Sequence, residues 1–290
     1  MRFEILHTTE YRYADPASEA YIETRLTPPP RPSQRIVSHE VDFQPSARTS
    51  RYTDYFGNAV DFFSMTLRHA RLAITNRLRV ETAVPEFPGE SMRLSVAESR
   101  QLFSSSLTDV FEFLQATPVV PVGGDSSRFA RQLFAGDRGL GAAVEELNST
   151  IYHEFEYFPG STDNTTPLQT VLEQRKGVCQ DFAHVMLSVL RTAGLPARYV
   201  CGYIESDPPP EGSKDARLVG SLATHAWVEV LAPGGHWVGI DPTNNQWCGE
   251  RHVAVSVGRD FRDAAPVRGT FKGSAAQRMK VRITMKRLKS

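Results

Sequence analysis

Polar and apolar residues alternate with period two through most of residues 1–85. Phe3 and Ile5 alternate with Arg2 and Glu4. Val37, His39, Val41 and Phe43 alternate with Ser38, Glu40 and Asp42, and Leu72, Ile74, Leu78 and Val80 with Arg71, Ala73, Arg77 and Arg79. Such alternation puts one set on each face of a strand, so the stretch is predicted to form an antiparallel β domain. Gly57-Asn58, between Tyr55-Phe56 and Ala59-Val60, is predicted as a two-residue hairpin turn. Pro28-Pro29-Pro30 has no N–H donors for a ladder and is predicted as a loop or sheet edge.

Beyond Pro85 the period changes. Leu102, Phe103, Leu107, Val110, Phe111 and Leu114 are spaced for a helix over 96–115, and Leu140, Val144, Leu147 and Ile151 for another over 139–152. Thr166-Pro167-Leu168-Gln169 reads as a capping box that opens a short helix ending near Gly177. A strongly apolar helix follows from Val178, carried by Phe182, Val185, Met186, Val189, Leu190 and Ala193 and stopped by Gly194. Two strands, His225–Leu231 and Trp237–Asp241, flank a turn at Pro233-Gly234-Gly235. With that turn centred on Pro233, His225 and Asp241 are predicted to sit directly opposite each other. The tail from Arg278 reads as a strand with six basic residues and no acidic one, best taken as a solvated face. Three regions are therefore expected: a β domain over 1–85, a helical connection over 86–150, and an α+β core over 151–290.

Charge narrows the class of partner. The 290 residues carry 33 basic and 33 acidic side chains, a formal net charge of 0, which argues against a protein whose work is binding nucleic acid or an anionic membrane. No apolar run approaches the ~18 residues of a membrane span. The N-terminus alternates where a secretory signal would be continuously apolar. Three cysteines without CxxC spacing make neither a disulfide framework nor a zinc knuckle, so a reducing cytoplasm is the expected setting. Neither a Walker-type phosphate loop nor a dinucleotide GxGxxG occurs, and no cofactor is expected.

One cysteine stands out by position. Cys179 falls at the N-terminus of the apolar helix, where unpaired backbone N–H groups and the positive end of the macrodipole favour a thiolate. The same N–H groups suit an oxyanion. Cys201, inside a predicted strand, and Cys248 have no such setting and read as packing residues. A thiolate nucleophile needs a base and the base an orienting partner. His184, five residues on, points elsewhere on the helix. His225, with Asp241 as its partner, is the better base. Zinc is the poorer use of these residues, since Cys179 and His225 have no closely spaced companion ligand.

Gly177-Val178-Cys179-Gln180-Asp181-Phe182-Ala183-His184, Gly194-Leu195-Pro196-Ala197-Arg198-Tyr199-Val200-Cys201-Gly202-Tyr203, His225-Ala226-Trp227-Val228-Glu229-Val230 and Gly239-Ile240-Asp241-Pro242-Thr243-Asn244 together resemble the bacterial transglutaminase-like family. Residues 1–85 resemble the β region that often precedes that core. The resemblance implies a papain-like α+β fold, a nucleophile helix packed on an antiparallel sheet, with Cys179 as nucleophile, His225 as base and Asp241 as its orienting residue. Gln180 and Trp227 also match family positions. It implies acyl transfer at an amide or isopeptide bond of a peptide or protein substrate, with no metal. Three outcomes stay open: a hydrolase, a transferase using an amine co-substrate, and a non-catalytic partner-binding protein. The loop 207–217 and Gly258-Arg259-Asp260 are expected to wall the cleft.

Overall fold

A computed structural model describes residues 1–105, 107–205, 224–273 and 276–289. The fold is α+β. Six N-terminal strands, Arg2–Ala17, Glu19–Thr27, Gln34–Gln44, Thr49–Thr53, Ala59–Met65 and His69–Thr82, divide between two antiparallel sheets. Each sheet is completed from the other end of the chain. Gln277–Arg287 pairs with Arg2–Ala17, and Val267–Lys272 pairs with Glu19–Thr27. Inward-facing Tyr13, Ile22, Leu26, Phe63, Leu72 and Ile74 close a core between the two sheets.

The second layer is a five-stranded antiparallel sheet in the order Gln246–Trp247, His236–Asp241, His225–Ala232, Ala197–Ile204, His252–Gly258. Every residue of His225–Ala232 is buried because both faces of this sheet are covered. On one face Ala226, Val228 and Val230 pack with Phe182, Val185, Met186 and Val189 of the helix Cys179–Thr192. Toward the N-terminal sheets, Tyr203, Val253 and Val255 join Phe3, Ile5, Leu78 and Val80 in a further core.

Polar clamps complete this second contact. Among the described residues the edge strand His252–Gly258 has no sheet partner on its outer side, and two amide side chains of the N-terminal region take that place. Gln34 Nε2 donates to the Ala254 carbonyl while its Oε1 accepts from the Ala254 N–H, both at 2.9 Å. Asn58 does the same to Val257, at 2.7 and 2.8 Å. Thr82 Oγ1 donates to the Glu250 carbonyl at 2.6 Å. Buried Glu229 receives Arg198 at 2.7 Å and Arg31 from the loop after Pro28-Pro29-Pro30. Burial alone would raise the Glu229 carboxyl, but the two guanidinium charges hold it below the usual carboxylate range.

The stretch 96–115 is helical over Val96–Ser105 and Leu107–Val110, as expected, and departs from an α-helix only at its end, where Phe111–Leu114 is a 3₁₀ turn. Local expectations fail where side chains compete with the backbone. The turn at Gly57-Asn58 spans residues 54–58, because the Asp54 carboxylate gathers the N–H groups of Phe56 and Asn58 at 3.0 and 2.9 Å. Thr166 spends its hydroxyl on Asp163 and Gln169 bonds Glu173, so no capping box forms before Leu168–Gln174.

Asn58→Ala leaves the buried N–H and C=O of Val257 without partners. It is expected to cost about 2–4 kcal/mol in urea unfolding, and a cost below 0.5 kcal/mol would remove the clamp from the account.

Candidate active site

The helix Cys179–Thr192 begins with the sulfur residue itself, after an extended Val178. Valine has no side-chain acceptor, so the end is fixed from within. The Asp181 carboxylate reaches back to accept from the Val178 N–H at 2.8 Å and also takes the Thr162 hydroxyl at 2.6 Å. Burial raises the Asp181 carboxyl despite these donors. Gly177 is required beside it, since a Cβ there would lie 2.8 Å from Asp181 Cβ. Cys179 is half-buried, Cys201 is buried, and all three thiols are free. Burial pushes the Cys201 thiol up to about 12, as expected of an inert packing residue.

His225 starts the central strand, at the end of the sheet where the helix also begins. The predicted pairing needs correction. Val228 opposes Ile240 and Ala232 opposes His236, because the reversal is centred on Gly234 rather than Pro233. Gly234 and Gly235 both adopt positive φ, 95° and 90°, which the chain needs to turn there. The two-residue offset keeps His225 and Asp241 on one face as diagonal neighbours instead of directly opposed. Their side chains still meet, with His225 Nε2 2.7 Å from Asp241 Oδ2 and both residues fully buried. Nδ1 of His225 is buried without a hydrogen-bond partner.

Burial alone would lower His225. The charge and hydrogen bond of Asp241, then Cys179, overcome it and raise the imidazole to about 10. Cys179 is thus close enough to act on the ring. Asp241 is held far below the usual carboxylate range, against burial, by His225 and then His252. Its Oδ1 accepts from the Thr243 and Asn244 N–H groups at 2.9 and 3.3 Å, and the Asn244 side chain donates to Oδ2 at 2.7 Å. Trp227 lies on the same face, its ring 6.0 Å from that of His225. It seats against Gly202, where a Cβ would come within 2.5 Å of the indole.

The structure therefore gathers the three residues picked out by the sequence and adds one that was missed. His252 Nε2 lies 3.3 Å from Asp241 Oδ2. Nothing local marks it in the sequence, because it belongs to the edge strand and reaches the site only through tertiary pairing. Tyr157, to which the sequence reading gave no role, also lies close by. Burial first, then the charges of Cys179 and Asp181, push its phenol up to about 12, so it neighbours the sulfur. His184 points away, as its spacing predicted. It accepts from the Phe261 N–H at 3.2 Å, and burial drives it down to about 3.

His225, Asp241 and His252 bring ligand atoms within 4.8 Å of one another, which raises the question of a metal. The donor set does not suit one. His252 Nδ1 accepts from the Gly249 N–H at 3.2 Å, so its proton sits on Nε2. Ligation through Nε2 would require lone pairs on both ring nitrogens. Of the expected cleft walls, 207–217 lies outside the described residues. Arg259 is engaged by Asp263 at 2.7 Å and Asp260 caps Phe261–Ala264. Among the described residues no helix is long and apolar enough to cross a membrane.

Residues 127–242 match the family model of the transglutaminase-like superfamily, and residues 3–81 that of the bacterial transglutaminase-like N-terminal region. An uncharacterised Mycobacterium tuberculosis protein is 37% identical over 278 residues, covering 92% of this chain and 87% of that protein. The chain belongs to the transglutaminase-like superfamily. A 115-residue stretch, 39% of the chain, is 41% identical to 17% of a Pseudomonas aeruginosa protein-glutamine gamma-glutamyltransferase. A crystal structure of a candidate cysteine protease from Cytophaga hutchinsonii shares the fold at a TM-score of 0.75, with 21% identity over 100% of this chain and 92% of that one.

The raised His225 value fixes the sign of a pH effect in this transglutaminase-like chain. Folded His225 binds its proton more tightly than in the unfolded chain, so the stabilisation is complete below about pH 6.5 and is lost as pH rises through about 10. Asp241→Asn removes the charge but leaves the burial. Histidine-selective NMR is expected to show His225 still protonated at pH 8 in the wild type and neutral at that pH in Asp241→Asn. Neutral His225 at pH 8 in both would contradict the pairing.

Proposed function

We propose that the chain is a cysteine-dependent enzyme that breaks an amide or isopeptide bond in a peptide or protein, with Cys179, His225 and Asp241 as its catalytic residues. The carrying observation is the fully buried His225–Asp241 pair at 2.7 Å, with Nδ1 left without a hydrogen-bond partner and Cys179 close enough to act on the ring. Asp241 takes the Nε2 side, so the proton in play sits at Nδ1. Cys179 Sγ attacks the carbonyl carbon and the carbonyl oxygen becomes an oxyanion, met by the Cys179 backbone N–H at the helix start. His225 then gives the Nδ1 proton to the leaving nitrogen, the C–N bond breaks and a thioester remains. Water attacks the thioester, loses a proton to Nδ1 and releases the acid with the thiol restored.

Replacing water by a primary amine gives an amide exchange instead. The name of the Pseudomonas aeruginosa relative favours this second reading, although the match spans 17% of that protein. The proposed reaction is hydrolysis, in the reducing cytoplasm that three free cysteines suit. A non-catalytic binding protein is the weaker account, because such a role gives no reason to bury a charged histidine and aspartate together.

Intact-mass spectrometry during turnover of an activated glutamyl ester is expected to show an acyl adduct on the wild type and none on Cys179→Ala. Turnover is expected to fall on the order of 10³-fold or more in Cys179→Ala and Asp241→Asn. Added cadaverine is expected to leave the product a free acid. A cadaverine amide as main product would move the assignment to transferase, and an adduct on Cys179→Ala would overturn it.

A further inference from the structure

We infer that His252 is a positioning residue, the hydrogen-bond donor that fixes the Asp241 carboxylate in the orientation His225 needs. The inference rests on the catalytic reading above and adds to it a residue that touches neither substrate nor sulfur.

Asp241 Oδ2 accepts from three side chains: His225 at 2.7 Å, Asn244 at 2.7 Å and His252 at 3.3 Å. They differ in how they constrain the carboxylate. Asn244 lies three residues away in the same turn, as do the N–H groups that bond Oδ1, so these donors move with Asp241. His225 is the group to be positioned. Among the described residues, His252 is the donor that ties the carboxylate to a separate strand, at the far edge of the sheet.

The tautomer leaves His252 no other role. The Gly249 N–H donates to Nδ1 at 3.2 Å, which holds the proton on Nε2 and aims it at Oδ2. The ring is 4% exposed at its side chain, edge-on to Trp227 at 5.3 Å, so water does not substitute for it. Its strand is in turn fastened to the N-terminal sheets by Thr82 at Glu250 and by Gln34 at Ala254. The β domain thereby reaches the reacting histidine through one continuous set of bonds: Gln34, the 252–254 backbone, His252, Asp241, His225.

The test compares His252→Phe, which keeps the ring volume and removes the donor, with His252→Gln, whose amide N–H falls near Nε2. The probe is p-nitrophenyl acetate, followed by the release of p-nitrophenolate from the full chain. Melting temperatures check that both variants fold. A second readout is the low-field NMR signal of the His225 Nε2 proton, which requires no substrate. In His252→Phe, kcat is expected to fall on the order of 10- to 100-fold with KM unchanged, and the His225 signal to be lost. His252→Gln is expected to recover both. Wild-type kcat and an intact signal in folded His252→Phe would overturn the inference. A purely structural role would lower the melting temperature of both variants alike, without rescue by Gln, and would overturn it too. If the wild type itself does not react at Cys179, the catalytic reading fails, and the NMR signal alone then decides whether His252 holds Asp241.

Discussion

The structure depends on one carboxylate kept ionised where no water reaches it. Asp241 is fully buried, and a lone charge in such a place would be far too costly to keep. It is tolerated because every lone pair has a donor: two backbone N–H groups on Oδ1 and three side chains on Oδ2. The same charge raises the imidazole of His225 against its own burial. Charge and burial act in opposite directions on both residues, and the pair exists because pairing wins at each. A histidine held in this way keeps one nitrogen fixed and presents the other, which is what proton transfer to and from a sulfur requires.

Burial of that pair is a property of the layered fold. The helix Cys179–Thr192 covers one face of the five-stranded sheet, and residues of the N-terminal region, Arg31 at Glu229 and Phe56 beside Trp227 and Ala254 among them, approach the other. His225, Asp241 and His252 lie on the face away from the helix, while Cys179 comes from the helix end at the rim of the sheet. The N-terminal domain is therefore part of the site's environment. Without its clamps on Ala254 and Val257, the edge strand carrying His252 would be open to solvent along its outer side. The C-terminal strands strengthen the arrangement by completing both N-terminal sheets, so the two ends of the chain are joined on one side of the core.

Much of this was legible in the sequence, for identifiable reasons. Period-two alternation gave the N-terminal strands because one face of each is buried and the other solvated. The apolar spacing of Phe182 to Ala193, bounded by Cys179 and Gly194, gave the central helix within a residue or two. Parity survived even where the hairpin register slipped by two, because an offset of two leaves side chains on the same face. What escaped were features decided by competition or by distance. The aspartate that lengthens the turn at Gly57 acts through side-chain bonds that periodicity does not register. His252 belongs to a strand whose place beside Ala197–Ile204 is set by tertiary pairing, so no local spacing connects it to Asp241.

Site-resolved alkylation provides the most direct measure of the central claim. Cys248 is no neutral reference, because burial first and then the Asp241 charge push its thiol well above the usual range, so the rate is read at Cys179 itself. Iodoacetamide at pH 7, followed by peptide mass spectrometry, should modify Cys179 at least about tenfold faster in the wild type than in Asp241→Asn. Equal rates at Cys179 in the two proteins would contradict a sulfur activated by an aspartate-held histidine.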